Sequence, residues 1–196
     1  MTVTENEPVV PRAAVERAKN ILIKPAAEWS VIDAEPATIQ GIYRNYLVYL
    51  AAIGPVARFI GDVVFSHASV LAAVVVAVIT YVVWLVVIYV MGLVIDALAP
   101  NFGGEKNPVQ AFKVAAYSST ASAVTGVFAI VPALSGLAIL GLYGLYLLWL
   151  GLPKLMKVPQ EKALQYYAVL LGVLLVAGLV IGAVLAPVMM MTRFGI

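Results

Sequence analysis

Apolar residues in this chain gather into runs of about 20 or more, and the charges, prolines and glycines fall mainly in the short stretches between them. A bilayer core about 30 Å thick is crossed by roughly 20 apolar helical residues, since each adds about 1.5 Å. Five segments meet that length: Tyr43 to Phe65, Ser69 to Leu98, Phe112 to Val131, Ala133 to Leu152 and Leu164 to Met190. None shows the strict two-residue alternation of a barrel strand, and unpaired backbone groups are not tolerated in hydrocarbon. The pattern therefore predicts an all-α membrane protein with five transmembrane helices over residues 43–190. A cytoplasmic segment, 1–42, precedes them and a short extracytoplasmic tail, 191–196, follows.

Composition agrees. Of the 196 residues 63% are hydrophobic and only 11% charged, with mean hydropathy +1.02, against about 25% charged in soluble domains. The net charge of +2 supplies no basic patch for nucleic acid. Position matters more than the total. Arg12, Arg17, Lys19, Lys24 and Arg44 precede the first span, Lys106 and Lys113 lie between the second and third, and Lys154, Lys157 and Lys162 between the fourth and fifth. With five crossings these all face one side, Arg44 and Lys113 standing one residue inside the ends of their spans, while Arg58 and Arg193 face the other. The positive-inside rule then puts the N-terminus in the cytoplasm and the C-terminus outside the cell (inner) membrane. The first 40 residues lack the basic start and apolar core of a secretory signal, so the first span is expected to do the targeting.

That first span is interrupted by Gly54-Pro55, and Arg58 and Asp62 follow. Charges are cheap near a span's end and costly at its centre, so this pair is read as the far end of the helix, with Arg58 reaching to the interface. Upstream, residues 1–10 are expected to lack fixed structure, and Pro11 suits a first helical turn. From Arg12 to Ile23, Val15, Ala18, Ile21 and Leu22 share a face. A second short helix after Pro25 carries Trp29 and Ile32. Two arrangements fit equally: helices lying on the leaflet with Trp29 as an interfacial anchor, or helices packed against the cytoplasmic loops. Glu16, Glu28, Asp33 and Glu35 read as a solvated helix face.

Candidate chemistry is sparse. Gly103, Gly104, Glu105 and Lys106 lack the spacing of a phosphate-binding loop and, with Pro100, Asn107 and Pro108, read as a hairpin connection. Beyond it, Ser118, Ser122 and Thr125 fall on one helical face, with Tyr117 and Asp96 at its cytoplasmic mouth. Such hydroxyls in lipid either line a polar solute path or serve a close helix contact, bonded across it or to their own backbone, and the second is the commoner arrangement. Gly178, Gly182 and Ala186 at four-residue spacing form a helix-packing stripe. No mid-span acid or base is present. His67, the sole histidine, has no second histidine to share a metal, and Ser66, Ser69 and Asp62 flank it in too short a loop for a hydrolytic triad. With no cysteine either, no cofactor and no catalytic residue are expected.

Three stretches carry a resemblance: "VERAKNILIKPAAEWSVIDAEP", "NFGGEKNPVQAFKVAAYSST" and "GLYGLYLLWLGLPKLMKVPQEKALQYY". In these the chain resembles the Yip1-domain family, and its bacterial members in particular, over about Val15 to Pro187. The resemblance implies five spans and a cytoplasmic N-terminus. Eukaryotic relatives are associated with small GTPases and membrane traffic, but this chain lacks their Asp-Leu-Tyr-Gly-Pro stretch, so that partner is not carried over. Ala121 stands where many bacterial relatives have proline, and the helix break a proline would impose is expected to be lost. The expected function is that of a non-enzymatic membrane protein that recruits partners or shapes the bilayer. Its partners would be lipid, another membrane or cytoplasmic protein, or a second copy. The alternative is a small oligomeric channel or transporter using the hydroxyl face.

Overall fold

The computed structural model describes residues 9–194, and within them the chain is helical with no strand. Helix α1 (Val9–Ile23) and α2 (Pro25–Ala34) come first, then a single turn, α3 (Ile39–Ile42), a π-helical turn (Tyr43–Leu47) and α4 (Val48–Phe65). Helix α5 (Val70–Leu98) ends in a 3-10 turn, Ala99–Phe102. After the connection come α6 (Pro108–Ser118), α7 (Thr120–Thr125) and a 3-10 stretch, Gly126–Ile130. A second 3-10 stretch, Pro132–Leu142, leads into α8 (Tyr143–Leu155), and α9 (Gln160–Phe194) closes the described chain.

Four helical stretches are long and apolar enough to cross a membrane: Ile39–Phe65, Val70–Phe102, Pro132–Leu155 and Gln160–Val184. They coincide with the first, second, fourth and fifth expected spans. The third, expected as one helix over Phe112 to Val131, is broken instead. Its breaks have local causes. Ser118, Ser119 and Thr120 each turn the hydroxyl back to the carbonyl three residues earlier, at 3.3, 2.7 and 2.7 Å. Side chains that bond their own backbone compete with the helical ladder, and the chain kinks at Ser119. No proline is needed, so the break survives alanine at position 121. Farther on, the 3-10 stretch stops at Val131, which is extended with φ −108° and ψ 114° before Pro132, as the residue preceding a proline favours.

The broken segment is the centre of the bundle. All eight residues from Ala111 to Ser118 are buried, so α6 has no outward face beyond its first turn. The broken segment runs beside the π-helical turn and α4 in matched steps: the Phe112 ring stacks on Tyr43 at 5.1 Å, and the Thr120 and Tyr46 hydroxyls meet at 2.7 Å. A Cβ on Gly126 would lie 2.8 Å from Gly54 Cα, and one on Gly61 would lie 2.6 Å from the Ala129 carbonyl oxygen. From Tyr43 to Gly61 is roughly 18 residues, about 27 Å of helix. Glycine at positions 54, 61 and 126 is what lets these backbones touch.

The connection between α5 and α6 is a hairpin, as its punctuation predicts. Gly103 takes φ 74°, the left-handed conformation glycine adopts without strain. The Asn107 side chain accepts from the Gln110 amide at 3.1 Å and caps α6, with Pro108 in its first turn. Arg58 and Asp62 pair at 3.3 Å one turn apart near the end of α4. Helix α9 continues through Phe194, past Met190 where the fifth span was expected to end.

Candidate functional site

The N-terminal helices are not laid passively on the bundle. Trp29, expected as an interfacial anchor, is fully buried. Its indole sits so close to Gly151 on α8 that a Cβ there would lie 2.6 Å from Trp29 Cζ2, and Tyr117 meets it edge-on with centroids 6.5 Å apart. Ile21 and Ile32 are buried beside it. The amphipathic stripe has found protein rather than lipid, because α8 presents a gap with no side chain that a ring can fill.

Docking of α1 and α2 draws part of their charge inside: Glu28 is buried and Asp33 and Glu35 are partly covered, so of the acids read as a solvated face Glu16 alone is exposed. The Arg17 guanidinium donates to Glu28 and, at 2.6 Å, to Glu35; the Arg17 and Glu28 side chains are only 19% and 10% exposed. Arg17 also lies over the Tyr117 ring, 5.9 Å from its centre. Burial works against the arginine's charge, but the hydrogen bond and charge of Glu35, with Tyr117 and Glu28 adding to it, outweigh that and hold its pKa above the ordinary value. From the other side, Lys113 of α6, 3% exposed, donates to the Ile32 and Glu35 carbonyls at 2.7 and 2.6 Å. A cation there satisfies the orphan carbonyls at the end of α2 and faces the negative end of its dipole. Gln110 donates to the Asp33 carbonyl and carboxylate at 3.1 and 3.0 Å, and Lys157 pairs with the same carboxylate at 2.6 Å. The end of α2 is thus tied to α6 and to the turn after α8.

Between α1, the α2–α3 connection and the π-helical turn lies an open cavity of about 550 Å³, with Arg17, Glu35, Thr38, Asn45, Tyr46 and Tyr117 in its wall. A π-helical turn is uncommon and recurs at functional positions; here it places Asn45 and Tyr46 on the cavity.

Of the sequence-derived candidates, Tyr117 reaches this cavity and the others do not. Ser118 is buried and bonded to its own backbone. Ser122 and Thr125 likewise donate to the Ser119 and Ala121 carbonyls at 2.8 and 2.9 Å. Their face packs on the start of α8 and the turn before it: a Cβ on Gly144 would lie 2.7 Å from the Ser118 carbonyl oxygen, and one on Gly141 2.9 Å from Thr125 Oγ1. Asp96 is buried near the end of α5, next to Ile95, whose carbonyl accepts the Tyr166 hydroxyl; it is outside the cavity wall. Gly178 and Gly182 have open space where a Cβ would stand, and Ala186 is half-buried, so that stripe makes no close glycine contact within the chain. Arg17, Glu28, Glu35 and Lys113 were missed as a group. Glu28 is eleven residues from Arg17 and Lys113 seventy-eight from Glu35, separations at which sequence spacing carries no signal.

A bundle of helices with outward faces this apolar, closed at one end by its own N-terminal helices, is an integral membrane protein. The Yip1 domain model matches residues 19–182, and the chain belongs to that family. No curated protein and no solved structure matches it.

Proposed function

We propose that the protein is a non-enzymatic, five-crossing membrane protein that recruits partners or organises the bilayer through its cytoplasmic face. The observation that carries this reading is the locking of α1 and α2 onto the bundle by Trp29, Arg17 and Lys113. It gives the cytoplasmic end a fixed surface in place of a loose tether. The fifth crossing is supplied by the broken segment, whose matched steps along α4 extend about 27 Å, close to a hydrocarbon thickness. An odd number of crossings then separates the N-terminus, on the lysine- and arginine-rich side, from the C-terminus in the inner membrane. The channel reading has less support, because the hydroxyls meant to line a path are spent on their own carbonyls.

Cross-linking in native membranes through a photoreactive residue at Glu16 or Lys24 tests the recruiting role, with captured neighbours identified by mass spectrometry. Capture of one recurrent partner that Trp29→Ala abolishes supports it. Liposomes that carry the purified protein and pass small solutes, with passage blocked by Ser122→Trp, would replace it with the channel.

A further inference from the structure

The cavity that holds Arg17 and Glu35 has an apolar neighbour. Ala14 lines both it and a second hollow of about 360 Å³ between α1, α4 and α7, whose wall includes Leu22, Leu50, Ile53 and Val124 and is almost wholly apolar. Lys19 is its only charged wall residue. Leu22 and Val124 then continue into a third hollow of about 280 Å³ that reaches Leu140. Along α4 the path goes from Tyr46 to Ile53, roughly seven residues or about 10 Å from the end of a membrane-crossing helix toward its middle. Polar groups are gathered at one end and apolar walls extend inward from it, which is the shape of a single amphiphile.

Charge narrows the amphiphile. Arg17 brings one positive charge to two carboxylates, Glu28 and Glu35, and Lys113 donates to the end carbonyls of α2, one of them Glu35's own, so two cations face two carboxylates. Of these four groups the Glu35 carboxylate is the one left half-exposed in the cavity wall. An exposed carboxylate in a wall of balanced charge attracts an ammonium group and suits a zwitterion better than a net anion. Lys19, exposed beside the apolar hollow, suits a phosphate.

We propose that this path is a binding site for an amine-bearing zwitterionic glycerophospholipid. The ammonium meets Glu35, the phosphate meets Lys19, and one acyl chain lies along Leu22, Leu50, Ile53 and Val124. The site requires only that α4 crosses the membrane, and it stands whether or not the cytoplasmic face recruits a protein.

The full-length protein in nanodiscs tests it, using phosphatidylethanolamine with a photoreactive group near the end of one acyl chain and peptide mapping of the adducts. Labelling is expected to concentrate on peptides of α1 and α7, and to be displaced by unlabelled phosphatidylethanolamine in preference to phosphatidylglycerol. Val124→Trp fills the hollow and lowers that labelling by roughly tenfold, while Glu35→Gln removes most of the headgroup preference and leaves labelling in place. If Val124→Trp does not elute as a single species, Ile53→Trp serves instead. Labelling spread evenly over the outward face of α9, equal displacement by the two lipids, or no response to either bulky substitution would overturn the proposal.

Discussion

Gly151→Ala tests whether the N-terminal helices are docked as described. The added methyl carbon would lie 2.6, 2.7 and 2.8 Å from Trp29 Cζ2, Cε2 and Cη2. Unbonded carbons prefer about 3.5–4.0 Å, so the indole must retreat by about 1 Å. Trp29 is fully buried, with Tyr117 against its edge, which leaves it little room. Overpacking of this kind costs about 1–3 kcal/mol. Against it stands the gain of about 1 kcal/mol from replacing glycine with alanine inside a helix, so the single variant is expected to lose stability by about 1 kcal/mol. A cycle with Trp29→Leu separates the two effects. Trp29→Leu removes all three clashing atoms, so Gly151→Ala in that background should show only its helical gain, and the coupling should be about 1–3 kcal/mol. Equilibrium unfolding of the purified protein in bicelles, read by steric trapping, measures all four species. Additivity within about 0.5 kcal/mol, or stabilisation by Gly151→Ala alone, would mean that Trp29 does not occupy this gap.

Other substitutions test the remaining contacts. Arg17→Met leaves Glu28 buried with no cation and should cost roughly 3 kcal/mol, the lower end for a broken buried pair because Glu35 is 44% exposed; Glu28→Gln in the same chain should recover much of it, read as the unfolding midpoint. Gly61→Ala places a carbon 2.6 Å from the Ala129 carbonyl oxygen and 2.7 Å from that of Ile130, backbone that cannot swing aside, and should lower the midpoint by the equivalent of about 1–3 kcal/mol. Gly178→Ala meets open space and should raise stability by up to about 1 kcal/mol; a loss, measured with the oligomeric state, would show that a second copy covers that face of α9. Tyr46→Phe removes the 2.7 Å bond to Thr120 and should cost about 1 kcal/mol in the same unfolding assay.

Taken by itself, the order of residues determined the membrane class, the all-helical fold and the position of four of the spans. Those features follow from the solvent: hydrocarbon demands apolar length and internally bonded backbone, and both demands are local. The cap at Asn107 and the turn at Gly103 were equally legible, because each depends on a few adjacent residues. What only the tertiary structure decided is which apolar surface faces lipid and which faces protein. Lipid tails are as apolar as leucine, so no period in the pattern separates the enclosed residues 111–118 of α6 from an outward-facing helix such as α9. The same blindness hid the destination of Trp29, whose pocket is made by a glycine 122 residues away on α8. It also hid the fate of the N-terminal charges. Glu28 and Lys113 look solvated in one dimension and are buried in three, with Arg17 largely covered beside them, because a charge is tolerated inside once its partners arrive from other helices, and that meeting is a property of the packing.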